Sequence, residues 1–119
     1  MRTLVVKVTV GVEQPERCSQ AFTVAATAVA AGVPVSLWLT GESAWFALPG
    51  RAAGFSLQGS APLEDLLGAV LAQGQVTLCT QCAARRSITA DAVLPGIRIA
   101  GAAAFVAEVT ADSAQGLVY

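Results

Sequence analysis

Two cysteines three residues apart, Cys79 and Cys82, are the residues of this chain best suited to chemistry. They lie in Val76-Thr77-Leu78-Cys79-Thr80-Gln81-Cys82-Ala83-Ala84-Arg85-Arg86, where an apolar run gives way to helix-forming residues. A thiol at a helix N-terminus faces backbone N–H groups that favour its anion, and the thiolate is the reactive form of cysteine. Arg85 and Arg86 follow within two turns and are candidates to add positive potential and to serve in binding. Glu42, just past another apolar run, is a candidate to face the same region from a neighbouring loop. Cys82, one turn beyond Cys79, is placed to resolve an oxidised or persulfidated Cys79 by forming a disulfide. The same residue types also suit a plainer role, in which Cys79 finishes a buried strand and the charged residues are solvated.

What the chain lacks narrows the chemistry further. It contains no histidine. That removes the commonest general base, the Ser–His and Cys–His nucleophile pairs and the commonest metal ligand. One cysteine pair and a distant Cys18 fall short of the four ligands zinc usually takes, so no metal is expected. Cys18, near the start of a helix, suits a small packed hydrophobe. The segment Gly96-Ile97-Arg98-Ile99-Ala100-Gly101 matches neither dinucleotide nor Walker spacing, and no cofactor is implied. Net charge is −1 and no basic block occurs, so there is no electrostatic footprint for nucleic acid.

The elements that must position the cysteines follow from hydrophobic patterning. Thr3–Val10 reads as a strand buried on both faces. Pro15 opens a helix that runs to Ala31 and ends at Gly32, with Glu16, Gln20, Thr23 and Thr27 as its polar stripe. Val33–Leu39 is a second strand, Gly41-Glu42 a turn and Ser43–Leu48 a short helix. Pro49–Gly59 reads as an irregular, mobile loop. Pro62–Gln73 is the clearest helix, since Leu63, Leu66, Leu67, Val70 and Leu71 recur at i, i+3, i+4, i+7 and i+8. Gln75–Leu78 is the third strand, Gln81–Arg86 a short helix, Ile97–Ala100 the fourth strand, Gly101–Val109 a helix and Leu117–Tyr119 a terminal strand. Strands alternating with helices imply βαβ units: an α/β fold with a mainly parallel sheet and helices on both faces. Trp38, Trp45, Phe46 and Phe55 are expected mainly in packing, with a pocket near the cysteine edge as their other use.

The chain has 119 residues, which fits one domain spanning 1–119. Apolar residues make up 55% and charged residues only 13%, against roughly 25% in a typical soluble domain. So little charge points to further copies of the chain covering part of its surface. No charge occurs from Cys18 to Gly41, but Gly32 and Pro34 interrupt that run, and a membrane span is not expected. The opening strand reaches Lys7 too early for a secretory signal, and three cysteines read as intracellular thiols, so a cytoplasmic location is expected.

At the strand-to-helix junction the sequence resembles the DsrE/DsrF-like (YchN-like) family. A cysteine at the end of a late strand is followed by a second cysteine three residues on, then by a basic and an aliphatic residue: Cys79-Thr80-Gln81-Cys82-Ala83-Ala84-Arg85-Arg86-Ser87-Ile88. The Ala-rich helix ending in Ala31-Gly32, the strand closed by Gly41-Glu42, the helix Pro62–Gln73 and the tail from Gly101 occur in the family's order. Ser87 stands where many members have glycine. The resemblance implies a three-layer α/β/α sandwich with a five-stranded sheet, assembled as homotrimers or homohexamers. It also implies, for Cys79, the role of a carrier that takes a persulfide sulfur from a donor protein and passes it to an acceptor protein. Two other readings stay open. One is a thiol–disulfide redox protein using Cys79–Cys82, and the other a non-catalytic oligomeric binding protein. Whether the chain is an enzyme at all is left open by its residues.

Overall fold

Valine- and leucine-rich runs pair into a single sheet in the computed structural model, which describes residues 1–119. In chain order the elements are β1 (Thr3–Val8), α1 (Pro15–Ala30), β2 (Val35–Leu39), α2 (Leu63–Gln73), β3 (Gln75–Cys79), α3 (Thr80–Arg85), β4 (Ile97–Ala100), α4 (Ala102–Val109) and β5 (Ala114–Val118). All five strands are parallel, in the order β4-β3-β2-β1-β5. From β1 to β4 the chain steps across the sheet in one direction. Right-handed crossovers then stack α1 and α2 on one face. The step from β4 back to β5 reverses direction and carries α4 to the other face. The result is the expected α/β/α sandwich with unequal outer layers.

The α1/α2 side is a dry core. Val6, Val8, Leu37, Leu39, Val76 and Leu78 project from the sheet onto Phe22, Leu63, Leu67 and Val70. Phe46 meets Phe22 and Phe55 edge to face, with ring centroids 5.9 and 5.8 Å away. That contact pins the segment expected to be a mobile loop, where Ala52–Gly54 form a 3-10 turn and Ala52 and Phe55 are buried. Likewise Gly41–Ala47 is a 3-10 helix, starting two residues before the helix expected there. Gly32 takes φ +82° and ends α1 with the paired bonds Gly32 N–H to Val29 O and Val33 N–H to Ala28 O. The uncharged stretch from Cys18 is thus divided between α1 and β2, and no helix is long and apolar enough to cross a membrane.

The opposite face is covered by α4 alone, which has no fully buried residue. A polar network fastens it. Glu108 accepts hydrogen bonds from Ser36 Oγ (2.6 Å) and Trp38 Nε1 (3.1 Å) and pairs with Arg98, whose Nε donates to Thr77 Oγ1 (2.8 Å). Trp38, 1% exposed, packs edge-on against Phe105 at 5.4 Å. Burial opposes the charge on Glu108, but the bonds from Ser36, Trp38 and Arg98 outweigh it and hold the carboxyl below its ordinary value of 4.5. The terminal strand begins three residues before the expected Leu117, at Ala114, because the free edge of β1 needs partners from Thr3 onward.

A carboxyl whose pKa falls on folding stabilises the protein above its unfolded-state pKa, and that stabilisation is lost as the pH falls through the folded-state value. Glu108→Gln is therefore expected to lower stability near neutral pH by about 1–3 kcal/mol. In urea unfolding followed from pH 7 downward, the gap to the unaltered protein should close below pH 4.5.

Candidate functional site

The two cysteines sit where the chain changes sides. After β3 the chain runs to the α1/α2 face: Ala83 and Ile88 join the core and Leu94 N–H donates to Ala47 O (2.8 Å). After the adjacent β4 it runs into α4 on the opposite face. Neighbouring strands with diverging exits leave a crevice at their carboxyl ends, which is where open parallel sheets place their sites. Cys79 lies at this point, paired with Ala100. A Cβ on Gly101, the residue capping α4, would stand 3.8 Å from Thr80 Oγ1, so the starts of α3 and α4 meet beside the thiol.

Cys79 is the N-cap of α3, with φ −62° and ψ 127°, and its side chain is partly exposed. No hydrogen bond of full capping geometry closes onto the sulfur. Burial pushes its pKa up, but the backbone N–H of Cys82, the Cys82 thiol, the N–H of Gln81 and the charge of Lys7 together carry it below the ordinary 9.0. The helix expected from Gln81 starts one residue earlier, at Thr80, which brings its first amides round the thiol.

Cys82 moves the other way. It is 7% exposed, and burial together with the adjacent Cys79 pushes its pKa up against a hydrogen bond from Gly41 N–H (3.2 Å). Of the two, Cys79 is the thiol whose anion the surroundings favour, and Cys82 the one that burial holds in its protonated form. Gly41 has φ +54°, and a Cβ there would lie 2.1 Å from Thr9 O. No other residue can bring that N–H to the Cys82 sulfur without moving the backbone.

The charged candidates divide. Glu42 and Arg86 form an ion pair at 2.7 Å, with Arg86 Nε also donating to Glu42 at 3.0 Å and Nη1 to Cys82 O at 3.1 Å. The pair ties α3 to the Gly41–Ala47 turn and acts on the site through Cys82. Arg85 is exposed and makes no ion pair. Ser87 is the only non-glycine residue with positive φ, at +55°. It follows α3 as Gly32 follows α1, with Ser87 N–H to Ala84 O and Ile88 N–H to Ala83 O closing the helix.

Cys18 is fully buried, 3.7 Å from Ser43 Oγ, and burial pushes its pKa up to about 11. Phe46 and Phe55 belong to the core, and Trp45 lies half-buried under Arg51, 4.5 Å from its ring. The largest groove, about 690 Å³, runs between α1 and residues 57–60 and holds no cysteine. No group of three His, Cys, Asp or Glu side chains is placed to hold a metal ion. Lys7 and the Trp38–Arg98–Glu108 network were not foreseen from sequence. The signal for Lys7 was there, a lone charge inside an otherwise apolar strand.

The model of the DsrE/DsrF-like family matches residues 3–114. The chain belongs to this family. Its fold is similar to that of YchN from E. coli, with a TM-score of 0.79 at 17% identity over 98% of this chain and 100% of that one. It is also similar to MTH1491 from Methanobacterium thermoautotrophicum, a protein of unknown function, with a TM-score of 0.72 at 9% identity over the whole of both chains. No curated protein matches the sequence. In this DsrE-like chain Cys79 and Cys82 fall at the carboxyl ends of β3 and β4.

Alkylation followed by peptide mapping is expected to label Cys79 first, Cys82 slowly and Cys18 only on unfolding. Cys82→Ala removes one of the donors to Cys79, so the pH midpoint of Cys79 labelling should rise. A midpoint unchanged in the variant would show that the Cys82 thiol does not support the Cys79 anion. Ser87→Gly is expected to stabilise the protein by roughly 0.5–1 kcal/mol, read by urea denaturation, because glycine accepts positive φ without steric strain.

Proposed function

We propose that this DsrE-like protein is a sulfur carrier that relays a persulfide sulfur through Cys79. The observation that carries the reading is the opposed state of the two thiols: an anion-favouring Cys79 at the crevice, backed by a buried, protonated Cys82. In loading, the Cys79 thiolate attacks the outer sulfur of a donor persulfide. A sulfur–sulfur bond forms at Cys79, the donor's sulfur–sulfur bond breaks, and the donor leaves as a thiolate. In unloading, an acceptor thiolate attacks the outer sulfur and Cys79 returns as a thiolate. No net oxidation occurs in either step, and no histidine is needed because the surroundings of Cys79 favour the ionised nucleophile.

Cys82 gives the cycle a second exit. Its thiolate can attack the inner sulfur of the loaded Cys79, forming a Cys79–Cys82 disulfide and expelling hydrosulfide. Burial keeps Cys82 protonated, which slows this exit and favours transfer to an outside acceptor. The same thiol pair supports a second reading, a thiol–disulfide redox protein. The carrier works in the cytoplasm as a homotrimer or homohexamer, between a donor and an acceptor protein. The exposed Ala102, Ala103, Val106 and Ala107 on α4 favour such assembly, since they are apolar residues without cover in one chain.

Intact-protein mass spectrometry after incubation with a persulfide donor tests both. A carrier gains about 32 Da at Cys79, and Cys79→Ser gains nothing there. In Cys82→Ala, where the disulfide exit is closed, the carrier keeps its gain at Cys79, whereas a redox protein loses about 2 Da in the unaltered chain with oxidised glutathione, a disulfide that brings no persulfide sulfur. A Cys79 that stays unmodified while a known carrier is loaded under the same conditions rules out sulfur relay.

A further inference from the structure

Lys7 is the only lysine in the chain, set among the valines of β1 and half-buried. The register places it level with Trp38 and Thr77 across three strands. Side chains alternate along a strand, so Cys79, two residues past Thr77, points to the same face as Lys7. Lys7 Nζ lies 4.7 Å from the centre of the Phe105 ring, one turn into α4. The cap of that helix, Gly101, stands against Thr80 beside Cys79.

Arg85 is exposed at the last position of α3, and the other cations near the crevice are already engaged. Arg98 is paired with Glu108 and Arg86 with Glu42, while neither ion pair of the protein includes Lys7. A half-buried ammonium with no carboxylate partner needs an anion, and an aromatic ring compensates it only in part. We propose that Lys7 is a positioning residue of the Cys79 site, its unpaired ammonium supplying the charge that holds anionic sulfur at the crevice between β3 and β4. The inference deepens the proposed use of Cys79 and rests on its thiolate being the working group. The titratable groups acting on Cys79 are Cys82 from α3 and Lys7 from β1, and Lys7 is the cation among them. From α4, Glu108 is taken up by Arg98, Ser36 and Trp38, so it leaves the Lys7 charge free to act.

The test compares two alkylating agents at Cys79 in the full-length protein, read by peptide mapping. Iodoacetate is an anion and iodoacetamide is neutral. A nearby cation raises the rate with the first relative to the second. In Lys7→Met that ratio is expected to fall by a factor of roughly three or more, with the pH midpoint of labelling moved upward. Lys7→Arg should keep the ratio, and Arg17→Gln, on the exposed face of α1, should leave it unchanged. Should Lys7→Met not fold, Lys7→Gln gives the same comparison with an uncharged side chain of similar length. An unchanged ratio in a folded, uncharged variant overturns the assignment, as does an equal fall in Lys7→Arg. Persulfide loading of the unaltered protein is measured separately. No loading together with a Lys7-dependent ratio removes the carrier reading and leaves Lys7 standing, and loading with a Lys7-independent ratio does the reverse.

Discussion

One sulfur atom sets the terms for the rest of this structure. Cys79 is buried enough that a negative charge on it is disfavoured, yet the charge is favoured on balance by two backbone amides, a neighbouring thiol and a lysine. Each of these comes from something the fold had to arrange. The amides of Gln81 and Cys82 are free because they open α3, and the first four N–H groups of a helix have no partner within it. The Cys82 thiol is oriented by Gly41, whose own backbone fits only without a side chain. Lys7 reaches the region from two strands away because all three strands are parallel and in register.

The reversal of the chain between β4 and β5 links this local balance to the global topology. Without it α4 would lie with α1 and α2, and the exits of β3 and β4 would follow the same side. With it, the sheet acquires a crevice at its carboxyl edge and a second face covered only by one short helix. That face needed a polar anchor because too few apolar residues meet across it. Glu108 supplies the anchor by collecting Ser36, Trp38 and Arg98, three residues from two strands.

Much of the architecture was legible in the residues because it rests on periodicity. Helix α2 was read from its leucine spacing and begins one residue inside the expected bounds, and β4 begins and ends where expected. The misplaced boundaries have a common cause. The 3-10 turn at Ala52–Gly54 is held by Phe55 packing on Phe46, and the start of β5 by the edge of β1, both contacts that helical or strand periodicity does not encode. Local composition carries no trace of either. The site divides along the same line. Cys79 and Cys82 were evident from their place at a strand-to-helix junction, and Glu42 and Arg86 proved to be partners of each other, which only the fold could reveal. Lys7 lies 72 residues from Cys79, and its relevance depends on strand order.

The two thiols illustrate how little sequence distance is needed to separate chemical roles. Cys79 and Cys82 share a helix turn, but one lies before the first helical residue and the other within it. The first is exposed to the free amides, whereas the second turns into the core, where burial dominates. A protonated thiol beside a thiolate donates a hydrogen bond without competing as a nucleophile. The pair therefore favours an anion at Cys79, and in the proposed cycle it resolves the loaded sulfur only when Cys82 gives up its proton. That order of events follows from where α3 begins. A start at Gln81 would have left Cys79 one residue outside the cap, with its sulfur beyond the amides that hold its charge.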